Sequence, residues 1–384
     1  MNRPFAGVSG GLKVALVSRG ATVAGGEVSL LTLARHLPAP WRPLVWVTEK
    51  GELAERAREE GLEVVEGSWS LLSPRRPVGS LRAVAETVAA LRAHRVDLVH
   101  VNSPVEAMPF LAAARLLRRP ILVHVRIAYR AEFLRGQGLR LADEVIFNSC
   151  ALREEIGWSG GAVVPNGVEL PPPLGEEERL RLRRELGAGG EEILLGQVGQ
   201  VIEVKGVDLS LRAFARLVEK GLPVRLAIVG DDHQAGGSYR REMESLAGEL
   251  GVADRVVFTG YRRDALALMG VLDLLLCPSR KEPFGRVLIE AMSQGVPSVA
   301  AAVGGIPEVV RDGAEGLLIG AEDAEALARA VELLAADPAR RGAMGRRGRE
   351  RARDEFSAPI HARRIAALYE RVGAPYILPQ EVER

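Results

Sequence analysis

Short apolar runs alternate with helical patterns along almost the whole chain, and this alternation restricts the fold more than any single motif. Lys13–Ser18, Pro43–Val47, Leu62–Val65, Asp97–Val101 and Ile121–Val125 read as strands. Between them, helices are expected over Val28–Leu37, Glu52–Glu60, Leu81–His94 and about Pro104 to Leu117. Apolar strands at this rhythm, separated by helices, predict parallel sheets of βα units. The rhythm breaks at Leu170-Pro171-Pro172-Pro173-Leu174-Gly175, a charged helix over Glu176–Leu186, and Gly187-Ala188-Gly189-Gly190. A stiff proline run followed by glycines marks a domain boundary. Strand signals resume at Ile193–Gly199, Leu226–Asp232, Arg255–Arg262 and Leu272–Ser279, with a helix over Tyr239–Leu250. Helices over Ala324–Ala335, Pro338–Glu355 and Ser357 to about Val372 close the chain.

At 384 residues, two domains are expected, each with an ample core. The expected division is 1–170, a linker 171–190, 191–356 and a terminal helix in 357–384. Net charge is +1, split as +4 over residues 1–170 and −3 over the rest. That balance suggests neither disorder nor a nucleic-acid-binding surface, and leaves the first half better suited to an anionic membrane or acceptor. Cys150 and Cys277 fall among apolar neighbours and are expected as buried free thiols. No signal-peptide pattern or bilayer-length apolar run is present, so a soluble cytoplasmic protein is expected, with peripheral contact at the inner membrane face left open. One segment, Ser68–Pro77, interleaves apolar residues with arginines. Trp69, Arg75 and Arg76 there are candidates for binding an acceptor or a lipid headgroup, against the alternative of a loop folded back on its domain.

The chemistry concentrates in the run Lys281-Glu282-Pro283-Phe284-Gly285-Arg286-Val287-Leu288-Ile289-Glu290. Upstream lies an apolar strand; downstream, Val287, Leu288, Ala291 and Met292 recur at helical spacing until Gly295 and Pro297. Glu282 therefore sits between a strand's carboxyl end and a helix's amino end, where open α/β sheets bind ligands and helix N–H groups favour phosphate. Glu290 lies a turn or more into the helix, too far along to pair with Glu282 across one glycosidic bond. One elongated ligand touched twice fits better: Glu290 on vicinal hydroxyls such as a ribose, Phe284-Gly285 on phosphates by backbone, Glu282 at the far end. Lys205, at another strand-to-helix turn, is a candidate for neutralising a diphosphate. His124 and His100 close neighbouring strands, and either a structural or a ligand role is open to them. The loop Arg19–Glu27 is glycine-rich between strand and helix, but it lacks the Gly-x-Gly-x-x-Gly of nicotinamide-binding enzymes. Asp231-Asp232 is an adjacent pair and a poor chelate, so no metal site is expected. Asn166-Gly167 reads as a turn without functional content, and the arginine-rich face of Pro338–Glu355 as a solvated surface.

Glu, seven residues, then Glu, set in EPFGRVLIEAMSQGVPSVAAAVGGIPEVVRDGAEGLL, resembles the donor-binding signature of retaining GT-B glycosyltransferases of the family 4 type. The resemblance implies two Rossmann-like domains facing a cleft, with the terminal helix returning to the first. It implies transfer of a sugar from a nucleoside-diphosphate donor to a hydroxyl of a glycan, glycolipid or small molecule, with retention; the lack of an Asp-x-Asp motif makes metal-independent catalysis the expectation. It also implies Gly26 facing the donor, His124 on the transferred sugar, Lys205 on the diphosphate, and the backbone at Tyr261 and Arg262 against the base. In one place the chain departs from the family: Gln200 stands where an arginine is usual. Substitution by another arginine such as Arg286, a rearranged loop and a lowered activity are the alternatives this leaves open. The expected catalytic set is His124, Lys205 and Glu282. The expected donor contacts are Gly26, Gln200, Lys205, Arg262, Glu282, Phe284, Gly285, Arg286 and Glu290. Lipid linkage of the acceptor stays open, and a nucleotide-sugar epimerase or a non-catalytic sugar-nucleotide binder are the alternatives.

Overall fold

In this computed structural model, residues 11–67, 77–232 and 235–381 are described. Trp69, Arg75 and Arg76 lie outside them. The chain divides into two units, residues 1–167 with 358–384, and residues 168–357.

The first unit begins β1 (Leu12–Ser18), α1 (Gly25–His36), β2 (Trp41–Val47), α2 (Glu52–Glu59), β3 (Glu63–Glu66) and α3 (Pro77–Ala93). It continues β4 (Leu98–Val101), α4 (Ala107–Leu117), β5 (Ile121–Val125), α5 (Ala131–Gly136), β6 (Glu144–Phe147), α6 (Cys150–Ile156) and β7 (Ala162–Val163). Its seven-stranded sheet has the order β3-β2-β1-β4-β5-β6-β7, with parallel pairing between neighbours. Alternate residues of β1 feed two cores: Leu12, Val14 and Leu16 pack on one face, Ala15 and Val17 on the other. Period-two alternation with both faces apolar is what a parallel sheet covered by helices on both sides requires.

The second unit runs α7 (Glu176–Glu185), β8 (Ile193–Val198), α8 (Val207–Glu219), β9 (Val224–Val229), α9 (Ser238–Glu249), β10 (Val256–Gly260) and α10 (Ala265–Met269). Then come β11 (Leu274–Cys277), α11 (Arg286–Ser293), β12 (Ser298–Ala301), α12 (Ile306–Val309), β13 (Gly316–Ile319), α13 (Ala324–Ala335) and α14 (Pro338–Glu355). The six strands order as β10-β9-β8-β11-β12-β13, again parallel. The expected pair of Rossmann-like parallel-sheet domains is thus present.

The last helix, α15 (Ala358–Glu381), is longer than expected and belongs to the first unit. There Ile365, Ala366 and Tyr369 join the core on the β1–α1 side. Two expectations need correction. Cys150 is exposed, because it opens α6 behind the Ser149 cap and points outward despite its apolar sequence neighbours. Cys277 is buried and free as expected. The arginine-rich α14 is not simply solvated: Arg351 is mostly buried, pairs with the fully buried Glu315 at 3.4 Å, and lies 5.3 Å over the Phe356 ring. An α-helix with arginines all round must turn some of them inward, and a buried carboxylate stabilises the one that goes in. Among the described residues, no helix is long and apolar enough to cross a membrane.

Candidate functional site

Each sheet has one place where consecutive connections leave in opposite directions: between β1 and β4, and between β8 and β11. At such switch points the loops diverge and open a crevice at the strands' carboxyl ends. Of the expected residues that are described, all but Tyr261 and Arg262 lie along these two edges or on the helix that follows one of them.

At the β8/β11 edge, Lys205 Nζ lies 2.5 Å from Glu282 Oε2. Lys205 ends a short 3-10 turn, Glu203–Lys205, after β8; Glu282 follows β11. Burial alone would lower the lysine's pKa, but the Glu282 carboxylate outweighs it and the net shift is upward. The ammonium form is therefore secure. Nearby, burial pushes the Cys277 thiol up to about 11, with Glu282 adding to the effect, so the thiol stays protonated.

The two loops are locked together by backbone. Arg280 N donates to Val204 O at 2.8 Å. Gly206 has φ +68°, and a Cβ there would sit 2.3 Å from Pro278 O, so only glycine allows this approach. The Arg280 guanidinium donates to both Asp208 oxygens, at 2.9 and 2.8 Å, and to Glu203 O at 2.7 Å. On the other side, Gly305 N donates to Glu282 O at 2.9 Å, and a Cβ at Gly304 would meet that same oxygen at 2.1 Å. Asp208, Arg280 and Gly304 did not emerge from the sequence. Arg280's place two residues before Glu282 was the available signal.

Beyond Glu282, Phe284 is buried, its ring 6.3 Å from Phe356, so only its backbone faces the loop. Gly285 takes φ +94° and caps α11. On that helix Arg286 Nε donates to Glu290 Oε1 at 2.7 Å, an i,i+4 pair on one face. Gln200 is exposed just past β8. Arg262 is placed differently from the rest: its guanidinium meets both Asp264 oxygens at 2.7 Å and also pairs with Glu185 of α7. It braces the β10 loop.

At the β1/β4 edge, Gly26 O accepts from Asn102 Nδ2 at 3.2 Å. Arg126 Nε donates to Asn102 Oδ1 at 2.8 Å and its Nη1 to Asn166 Oδ1 at 2.6 Å. Asn148 Nδ2 donates to Arg126 O at 3.1 Å. Asn166, read as a turn residue, is buried and belongs to this network. His124 is fully buried, stacked on His100 with centroids 5.6 Å apart and planes at 18°. Neither of its ring nitrogens has a hydrogen-bond partner among the described residues. Burial, with the charge of Arg126 and the neighbouring histidines adding, holds its pKa well below the ordinary imidazole value. His100 contacts Tyr369 Oη of α15 at 2.6 Å, and burial, then Arg126, brings it down to about 3. Among the described residues, no group of three or more His, Cys, Asp or Glu is arranged to hold a metal ion.

Two family models match this chain: Glycosyltransferase Family 4 over residues 23–170 and Glycosyl transferases group 1 over residues 178–351. The 2-deoxystreptamine glucosyltransferase of Streptomyces kanamyceticus is 37% identical over 213 residues, which is 55% of this chain and 53% of that protein. The D-inositol 3-phosphate glycosyltransferase of Stackebrandtia nassauensis is 37% identical over 185 residues, 47% of this chain and 42% of that one. The chain thus spans about half the length of the curated relatives it matches. Among solved structures, HepE of Anabaena in complex with UDP and glucose aligns with TM-score 0.82 at 25% identity, covering 93% of this chain and 99% of that one. A glycosyltransferase of Rickettsia africae has TM-score 0.83 at 18% identity over 94% of this chain and 99% of its own, a likeness of fold alone. The chain belongs to the GT-B glycosyltransferases of the family 4 type.

Proposed function

We propose that this chain transfers a glycosyl group from a nucleoside-diphosphate sugar to a hydroxyl acceptor, with retention of configuration and without a metal ion. The observation that carries the reading is the Lys205–Glu282 pair at 2.5 Å on the β8/β11 edge, beside the amino end of α11. A cation next to the amino end of a helix suits the charge that develops on a departing diphosphate. Glu282 then accepts hydrogen bonds from sugar hydroxyls. Glu290, one of whose oxygens is held by Arg286, offers the other to a ribose. His124 and the backbone at Gly26 serve the transferred sugar as the family resemblance implies, and the acceptor's proton passes to the leaving phosphate oxygen. HepE, solved with UDP and glucose, supports a nucleotide-sugar donor. The relatives named for D-inositol 3-phosphate and 2-deoxystreptamine support a cyclic polyol as acceptor.

Gln200 favours a second reading. An exposed, neutral side chain where the family carries an arginine leaves one cation fewer for the diphosphate, as in a protein that binds the donor without turning it over. A thermal-shift panel of UDP-, GDP-, ADP- and dTDP-sugars, with and without EDTA, on wild type and Glu290→Ala tests the donor assignment. One nucleotide raising Tm of wild type but not of the variant, indifferent to EDTA, is expected. No shift from any of them overturns the transferase reading. Binding without nucleotide release in the presence of polyols selects the second.

A further inference from the structure

Glu106 is a carboxyl that this mechanism does not use. It stands at the amino end of α4, as the last residue of the 3-10 turn Pro104–Glu106 that follows β4, and is 2% exposed. Its Oε2 has no hydrogen-bond partner among the described residues. Burial raises its pKa, an effect to which Glu27 adds and which Ser103 and Arg19 oppose. Ser103 belongs to the same loop after β4, whereas Arg19 from the β1–α1 connection and Glu27 from the first turn of α1 come from the facing side of the switch point.

A buried acceptor oxygen left without a donor costs about 1–3 kcal/mol, more if charged. The Ser103 hydroxyl hydrogen-bonds this carboxyl and Tyr129 stands near it, but Oε2 is left without a donor. Arg19 is turned to Glu49, Nε to Oε2 at 2.9 Å, and is largely exposed. Glu27 is itself a carboxylate, and its two oxygens accept from Ser18 Oγ at 3.1 Å and Ala24 N at 3.2 Å. The crevice edge therefore presents two carboxyls and one unanswered acceptor. A phosphate is repelled there. A neutral hydroxyl would satisfy the oxygen but leave the excess negative charge. An ammonium group answers both.

We propose that Glu106, with Glu27 behind it, forms a subsite at the β1/β4 edge that takes an ammonium group of the acceptor, so that an amino-bearing polyol is preferred to its hydroxyl counterpart. This rests on the transferase reading for its meaning, and its test is independent of turnover. The probes are streptamine and scyllo-inositol, the same ring with ammonium or hydroxyl groups at two positions, titrated calorimetrically into wild type and Glu106→Gln. Streptamine is expected to bind wild type about tenfold or more tighter than scyllo-inositol, the size of one charge-assisted hydrogen bond. Glu106→Gln, nearly isosteric, is expected to remove that preference and leave scyllo-inositol within about twofold. If the amide variant fails to fold, Glu106→Asp retains the charge and is expected to keep the preference at lower affinity. Equal binding of the two polyols to wild type, binding of neither, or a preference that survives Glu106→Gln overturns the subsite. A nucleotide panel run on the same samples separates the failures. Nucleotide binding with no amine preference removes the subsite alone, whereas no nucleotide binding removes the transferase reading.

Discussion

At the carboxyl edge of the second sheet, Lys205 and Glu282 answer each other at 2.5 Å, whereas at the matching edge of the first sheet Glu106 and His124 are buried with polar atoms that meet no partner among the described residues. Both edges are switch points of the same topology. In the second, glycines at 206, 304 and 305 let three loops press backbone on backbone, and Arg280 ties two of them together. The charges there are paired with each other. In the first, amides and imidazoles surround groups whose hydrogen bonds are incomplete, an arrangement that costs stability and persists where a ligand completes it. One edge is built to hold charge, the other to receive donors.

The largest effect that tests this contrast is expected from Lys205→Ala. Removing a preorganised cation from a developing anion costs about 10²–10³ in kcat, read as turnover of the donor that the thermal panel identifies. A loss below about tenfold would mean that the second edge does not carry the leaving group. Next comes the scaffold. Gly206→Ala adds a Cβ 2.3 Å from Pro278 O at φ +68°, and a loss of about 2–3 kcal/mol is expected by denaturant unfolding. Gly221→Ala has φ +78° but nothing within 4 Å, so about 1 kcal/mol is expected there. Equal costs would show that the Gly206 contact is slack.

Acid should act on the first edge. The folded-state pKa of His100 is about 3, and that of His124 is also lowered, against about 6.5 unfolded. Below 6.5 the unfolded chain binds protons that the folded one refuses. Stability is thus whole above that pH and falls as pH drops toward 3, by roughly 2 kcal/mol for His100 at pH 5, with His124 acting in the same direction. Hydrogen-exchange protection factors in β4 and β5 are expected to fall between pH 7 and 5 more than those in β8 and β11. The reverse order would place the weak edge in the wrong unit.

What was legible in the sequence is what is local. The strand before Glu282, the α11 spacing after it and the turn holding Lys205 are short-range patterns, and all three stand where expected. Contacts across long separations were not legible. The Arg280–Asp208 brace spans 72 residues, and His100 meets Tyr369 across 269. His124 was placed correctly at a strand's end, yet its burial beside His100 and α15 follows from packing that no local pattern encodes. The backbone at Arg262 was read against a base; that Asp264, two residues on, and Glu185 hold its guanidinium was not legible. Cys150 misled because apolar neighbours along a chain do not fix the direction of a helix's first side chain.

The smallest expected effect discriminates most finely, because its sign differs between readings. With Glu282 at 2.5 Å, Lys205 already has an anionic partner, and a diphosphate must compete for it. Glu282→Gln replaces the carboxylate by a neutral amide of the same shape. The competition weakens, by about 1 kcal/mol once the partial exposure of Lys205 is discounted, so a nucleoside diphosphate should bind several-fold tighter. Transfer should fall in the same variant, since the amide no longer offers a charged acceptor to the sugar. Tighter diphosphate with slower transfer, by calorimetry and turnover on one preparation, is the signature of a pair that opens to admit the donor. Were diphosphate binding to weaken along with turnover, Lys205 would need Glu282 to stay in position. The second edge would then be a rigid unit whose charges never separate.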